Sequence, residues 1–164
     1  RFAPALEPAV AARLAGVTID FDHLVACYQQ LAAQARLVVV EGCSGLLAPL
    51  NEDHLMVDLV ARLGLSVLLV SPSVPNAVNA CLLNTELMRG RGLEFSGLVR
   101  HRLTPEVNPE EAANPFQIER FAGEIVRGVM PFLEPAVLEE PELLARRFVV
   151  HVDLEAVLQP PRFT

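Results

Sequence analysis

Leu37-Val38-Val39-Val40-Glu41-Gly42-Cys43-Ser44-Gly45 runs from apolar, mostly β-branched residues straight into a carboxylate and a small-residue turn. A continuous apolar run of that length, closed by turn residues, reads as a strand over 37–41 buried on both faces. In open α/β sheets, ligands bind beyond the carboxyl ends of such strands. Glu41 therefore stands where chemistry is usually done, and the glycines after it let backbone approach a ligand closely. The plainer alternative is a strand exit with a solvated glutamate.

Outward from this stretch, helix and strand signals alternate. A short helix over 8–14 is stopped by Gly16. Asp20 or Asp22 caps a second helix carrying Leu24, Val25, Tyr28, Leu31 and Ala32 at helical spacing. After strand 37–41, Asp53 caps a helix with Leu55, Met56, Leu59, Val60 and Leu63 on one face. A second apolar strand covers 66–70, followed by a Pro-punctuated loop over 71–75. Asn76 caps a helix whose inward stripe is Val78, Cys81, Leu82, Thr85 and Met88. A third strand spans 94–100. A polar loop over 104–114 then leads to Asn114-Pro115, which opens a helix by the cap-then-proline rule. A short strand at 125–130 and helices near 136–146 and 151–158, the last capped by Asp153, close the chain. This order predicts one α/β domain over 1–164, a mostly parallel sheet with helices on both faces.

The bulk properties agree. Apolar residues make up 52% of the chain, which excludes disorder. No apolar run approaches the ~20 residues a membrane span needs, and no signal-peptide pattern opens the sequence. A net charge of −7 argues against non-specific nucleic-acid binding, and with the short apolar runs the expected partners include neither nucleic acid nor membrane. Cys27, Cys43 and Cys81 are scattered without metal-ligand spacing, which points to a reducing cytoplasm. All 13 basic side chains are arginine. The opening Arg1-Phe2-Ala3-Pro4, without an initiator Met, suggests that residues lie upstream.

Five segments resemble the dethiobiotin synthetase family. Val38 through Leu50 resembles its V-E-G-A-G-G-L-x-x-P-L segment. Pro8-Ala9-Val10-Ala11-Ala12-Arg13 resembles P-H-x-A-A-R. Asp58-Leu59 with Leu65-Ser66-Val67-Leu68-Leu69-Val70 resembles D-L-A…L-P-V-I-L-V. Val78-Asn79-Ala80 through Leu83 resembles I-N-H-x-L-L-T. Gly128-Val129-Met130-Pro131-Phe132-Leu133 resembles G-x-L-P-x-L. The resemblance covers about residues 4–135 and matches the C-terminal two-thirds of the family.

It implies a P-loop NTPase-like fold, incomplete at its N-terminus, and a homodimer. It implies ATP-dependent closure of the ureido ring of dethiobiotin from 7,8-diaminopelargonic acid and CO2, with Mg2+ and ATP as cofactors. The chemistry is phosphoryl transfer, which rests on positioning and charge neutralisation. By position, Glu41 takes the place of the Mg-binding, catalytic glutamate. Gly42, Cys43, Ser44 and Gly45 take the place of the turn beside the small-molecule substrate. Asn76 and Asn79 match the start of the helix that holds the substrate carboxylate across the dimer interface. That match implies that the 76–88 helix lines the interface and brings Asn79 near the partner's Glu41 loop. His101 stands where the family reads adenine with an asparagine, and Pro131, Phe132, Leu133 and Glu134 fall on the segment against that base.

The departures are specific. The family has a G-x-x-x-x-G-K-[ST] loop and a second active-site lysine, and this sequence has no lysine. Asn76 replaces a glycine, Ala80 and Ala9 replace histidines, and Cys43-Ser44 replaces Ala-Gly beside the substrate. Two readings follow: a ligase whose phosphate-binding part lies outside these residues, or a diverged non-catalytic relative serving as a binding or scaffold domain. Other features have bland readings. Cys43 is a small packing residue before it is a nucleophile. His23, His54 and His151 are surface or capping groups. Glu110-Glu111 and Glu139-Glu140 are solvated faces. Arg100-His101-Arg102 is either a solvated strand exit or a holder of phosphate or another anion.

Overall fold

In the computed structural model, residues 6–42 and 44–158 are described. The chain forms two compact units, Arg1–Leu65 and Ser66–Thr164.

The first unit contains three helices. Helix α1 (Pro8–Leu14) begins with proline at its first turn, where the missing N–H costs nothing. Helix α2 (Phe21–Ala32) is capped by Asp20, whose carboxylate accepts the His23 N–H at 3.0 Å. Helix α3 (Met56–Leu63) ends at Gly64, whose φ of 63° is the left-handed stop that glycine adopts freely. Asp53 does not cap α3. Asn51 Oδ1 instead accepts the Asp53 and His54 N–H groups, at 3.0 and 2.8 Å. The Asp58 carboxylate accepts the Leu55 N–H at 2.8 Å. Val25, Leu50, Met56 and Leu59 form the core of the unit, with Phe21, Leu24 and Leu63 packed on it.

The strand expected over 37–41 is not formed. Among the described residues no β-strand lies within Arg1–Leu65, and none of them forms a backbone hydrogen bond with residues 37–42. Leu37, Val39 and Val40 are exposed, Val39 at 84%. A strand needs a neighbour for its N–H and C=O groups. Without one, a β-prone sequence remains an extended segment.

The second unit is built on a parallel sheet of β1 (Val67–Ser73), β2 (Phe95–Arg102) and β3 (Val126–Met130), with β2 central. Helix α4 (Ala77–Gly90) connects β1 to β2, and α5 (Pro109–Ala122) connects β2 to β3. Both connections are the crossovers that parallel strands require. Helices α6 (Pro135–Leu138), α7 (Pro141–His151) and α8 (Leu154–Leu158) follow. Val99 and Met130 cluster with Val152, Phe148 and Val157, so α7 and α8 cover that sheet face. Alternation along β2 turns Leu98 and Arg100 to the opposite face, the side of α4 and α5. The sheet thus has helices on both faces.

Two boundaries moved for identifiable reasons. Strand β1 continues through Pro72 because, at the edge of the sheet, proline forfeits no ladder bond. Helix α5 starts at Pro109, not at Asn114-Pro115. Asn108 Oδ1 accepts the Glu111 N–H at 2.9 Å, and Asn108 Nδ2 donates to Glu111 Oε1 at 2.7 Å. The first Asn-Pro pair therefore captures the start, and Pro115 lies inside the helix.

Candidate functional site

Glu41 is exposed at the end of the unpaired segment, with Gly42 after it. Gly42 backs onto the Met56 side chain, which fixes one side of the turn. Cys43 lies outside the described residues. Ser44 has φ 62° and Gly45 φ 135°. Glycine takes such values freely, whereas Ser44 adopts the left-handed region at a steric cost.

An exposed carboxylate suits a hard cation. Mg2+ takes one or two carboxylates and completes its shell with phosphate oxygens and water. Glu41 is one carboxylate of that kind. Among the described residues no group of three or more His, Cys, Asp or Glu gathers to make a metal cage. The triphosphate is a different case. These 164 residues contain no lysine and no G-x-x-x-x-G-K-[ST] loop, so they do not themselves form a P-loop for a triphosphate.

In the second unit, Asn76 and Pro131 follow the carboxyl ends of β1 and β3, and His101 is the last residue but one of β2, so all three lie along one edge of the sheet. His101 is half-buried and aligns with Pro72 on one side and Met130 on the other. That places it next to the Pro131 segment. Phe132 is half-buried and Glu134 exposed. Leu133 packs into the Val99–Met130–Val152 cluster and belongs to the core.

Asn76 occupies the N-cap position of α4 with φ 62°, and its side chain makes no cap bond. Its own N–H donates to Glu110 Oε1 at 2.9 Å. A carboxylate of α5 thus lies at the N-terminus of α4, where helix N–H groups favour negative charge. Glu110 was expected to be only a solvated face, and this bond gives it a partner. Asn79 is exposed in the first turn of α4.

Arg100 departs most from expectation. It is not a solvated strand exit but has 0% exposure. Its Nη2 donates to Pro72 O at 3.1 Å, while Nε and Nη1 have no partner. Burial pushes the guanidinium below the ordinary arginine value, and Cys81 and Glu111 oppose that shift. Asn114, at 1% exposure, donates from Nδ2 to Val74 O at 3.4 Å and leaves Oδ1 unpartnered. Sequence reading missed Asn114 as a buried group. For Arg100 the signal was present: two residues after Leu98 in a strand, it shares that residue's inward face.

His23, His54 and His151 serve local packing and helix ends. His54 stacks on Phe21 at 4.1 Å between ring centres, His23 Nε2 lies 3.5 Å from Cys27 Sγ, and His151 is the last residue of α7.

Residues 1–142 match a family described as an AAA domain. The chain is 41% identical over 122 residues to the ATP-dependent dethiobiotin synthetase BioD of Anaeromyxobacter sp. (strain Fw109-5), covering 74% of this chain and 55% of that protein. The enzyme of the same name from Anaeromyxobacter dehalogenans (strain 2CP-C) is 35% identical over 158 residues, covering 96% of this chain and 68% of that protein. The Bacillus licheniformis protein of that name is 29% identical over 157 residues, covering 96% and 66%. The chain thus spans between about half and two-thirds of the length of these relatives. A match that runs through nearly the whole chain, onto a parallel sheet of the expected order, places this chain in the dethiobiotin synthetase family of AAA-domain proteins.

Proposed function

We propose that this chain is the substrate- and metal-side portion of an ATP-dependent ligase of biotin biosynthesis, working in the cytoplasm as a homodimer. The ligase would close the ureido ring of dethiobiotin from 7,8-diaminopelargonic acid and CO2. The observation that carries the reading is the 35% identity to the Anaeromyxobacter dehalogenans enzyme over 96% of this chain. Within it, Glu41 would hold Mg2+ beside the phosphates, and Gly42–Gly45 would border the substrate. Asn76 and Asn79 would orient the substrate carboxylate, and the His101 and Pro131–Glu134 edge would face adenine. Bound MgATP would supply the phosphoryl group that activates the oxygen of a carbamate formed from CO2 and one substrate amine. The part of the chain is to place that oxygen and neutralise its charge, the two contributions that dominate phosphoryl transfer. The Glu110 carboxylate on the Asn76 N–H would have to leave for a substrate carboxylate to take its place. That contact, with the departures at Asn76, Ala80 and Cys43-Ser44, is what favours a non-catalytic relative.

The test supplies the missing cradle. The chain is joined behind the P-loop-bearing segment of the Anaeromyxobacter dehalogenans relative and assayed for dethiobiotin formation. Turnover is expected, with a loss of at least ~100-fold in kcat on Glu41→Gln, the scale of removing one preorganised charge contact at a reacting group. A chimera that binds MgATP by calorimetry yet forms no dethiobiotin overturns the ligase reading. The 164-residue chain alone is expected to show no MgATP binding, because it contains no phosphate-binding loop.

A further inference from the structure

We propose that Arg100 and Asn114 form a buried site for a small oxyanion carrying one acidic hydrogen, of the hydrogenphosphate or bicarbonate class, between the sheet and the α4–α5 pair. The site lies wholly within Ser66–Thr164 and does not rest on the ligase reading.

The argument begins with charge. Arginine remains protonated in proteins, and a buried cation without a partner is strongly destabilising. Arg100 has no exposed surface, and the Pro72 carbonyl satisfies only one corner of its guanidinium. Nε and Nη1 are left without acceptors. Glu111 acts on Arg100 through its charge, but its Oε1 accepts from Asn108 Nδ2 at 2.7 Å, and it forms no hydrogen bond to the guanidinium. A compensating anion is therefore what the environment of Arg100 asks for.

Hydrogen-bond sense then narrows the ligand. Arg100 offers donors only, and Asn114 Oδ1 offers an acceptor that is likewise buried and unpartnered. The two side chains are anchored on the same short segment, Arg100 on Pro72 O and Asn114 on Val74 O. An anion that accepts at Arg100 and donates at Asn114 needs both bare oxygens and a hydroxyl. Hydrogenphosphate and bicarbonate have both; chloride and a fully ionised carboxylate do not. Planar, multidentate recognition of oxyanions is the use to which the guanidinium fork is suited. Ser71, which aligns with Arg100 in the β1–β2 ladder, keeps the neighbouring surface polar.

Inorganic phosphate and bicarbonate are titrated separately into the desalted full chain, with calorimetry and thermal unfolding as readouts. One of the two is expected to bind with one-to-one stoichiometry and to raise Tm, and the arm that responds identifies the anion. Arg100→Met is expected to abolish the response, while its Tm without anion stays at or above that of the native chain. Replacing a buried charge that Glu111 offsets only through space by a side chain of similar length removes a desolvation cost. Asn114→Asp sets a fixed negative charge against the ligand and should weaken binding ~10- to 100-fold, the scale of a charged hydrogen bond. If neither anion shifts the native chain, or if Arg100→Met still responds, the proposal fails. Should Arg100→Met not fold, Asn114→Asp decides alone: unchanged affinity for both anions overturns the site.

Discussion

Residues 37–41 and β2 are similar as sequence and opposite as structure. Both begin with apolar residues, both meet a charged side chain, and both read as buried strands. In β2, Leu98 is wholly buried and Val99 nearly so, held in a ladder with β1 and β3. In the other stretch, Leu37, Val39 and Val40 are exposed and the backbone has no ladder. The charged groups differ in the same sense, Glu41 open to solvent and Arg100 closed away from it. An apolar run specifies what a segment would do if neighbours were present. It does not supply the neighbours, and burial follows the ladder.

The comparison is sharpened first on the sheet side, where the largest effect is expected. Gly128 lies in β3 where the chain passes back over it. A Cβ there would run into the His151 carbonyl oxygen and the Val152 backbone, and Gly128 is bridged to Val152. Backbone cannot step aside as a flexible side chain can. Gly128→Ala should therefore cost ~3 kcal/mol or more, at the upper end of overpacking effects, and show as a lower urea midpoint with m unchanged. A cost under ~1 kcal/mol would mean that the β3–α7 contact is looser than drawn. Next, Val99→Ala removes two methyl groups from the Val99–Met130–Val152 cluster. About 2 kcal/mol is expected, by analogy with larger aliphatic truncations.

Helix capping gives an intermediate effect and explains where sequence reading erred. Asn108→Ala deletes the cap of α5 and frees the Glu111 side chain, which should cost ~1 kcal/mol in thermal unfolding. The same change made at a genuine interior position would leave no such mark. In the sequence, Asn108-Pro109 and Asn114-Pro115 carry the same signature. Each is also followed at the third helical position by a capping-box residue, Glu111 or Gln117, so the local sequence did not choose between them. Elsewhere local signals sufficed: Asp20 caps α2, Gly64 stops α3, Asp153 accepts the Ala156 N–H at 3.0 Å, and all three strands of the sheet fall within three residues of expectation. The site was less legible. Glu41 and His101 are found by position in a motif, but the pairing of Glu110 with the Asn76 N–H spans 34 residues. Likewise Arg100 and Asn114 are each anchored on a carbonyl of a third segment. No local pattern encodes such contacts.

The smallest expected effect breaks the comparison most directly. Val39 and Val99 are the same residue type in similar local sequence, so Val39→Ala is the matched partner of Val99→Ala. At 84% exposure, Val39 has little apolar area to lose from the folded state. Its substitution should change stability by less than ~0.5 kcal/mol. Amide hydrogens of residues 37–42 should exchange near unprotected rates, since no backbone acceptor holds them, while those of β2 exchange only on global unfolding. If Val39→Ala instead costs as much as Val99→Ala, and the 37–42 amides are protected, then the stretch has acquired a ladder in solution. If so, that ladder must come from a second chain or from residues beyond these. Dilution separates the two sources, because a partner chain is lost at low concentration and a covalently attached one is not. Only after that measurement can the exposed carboxylate of Glu41 be given a fixed strand end from which to work.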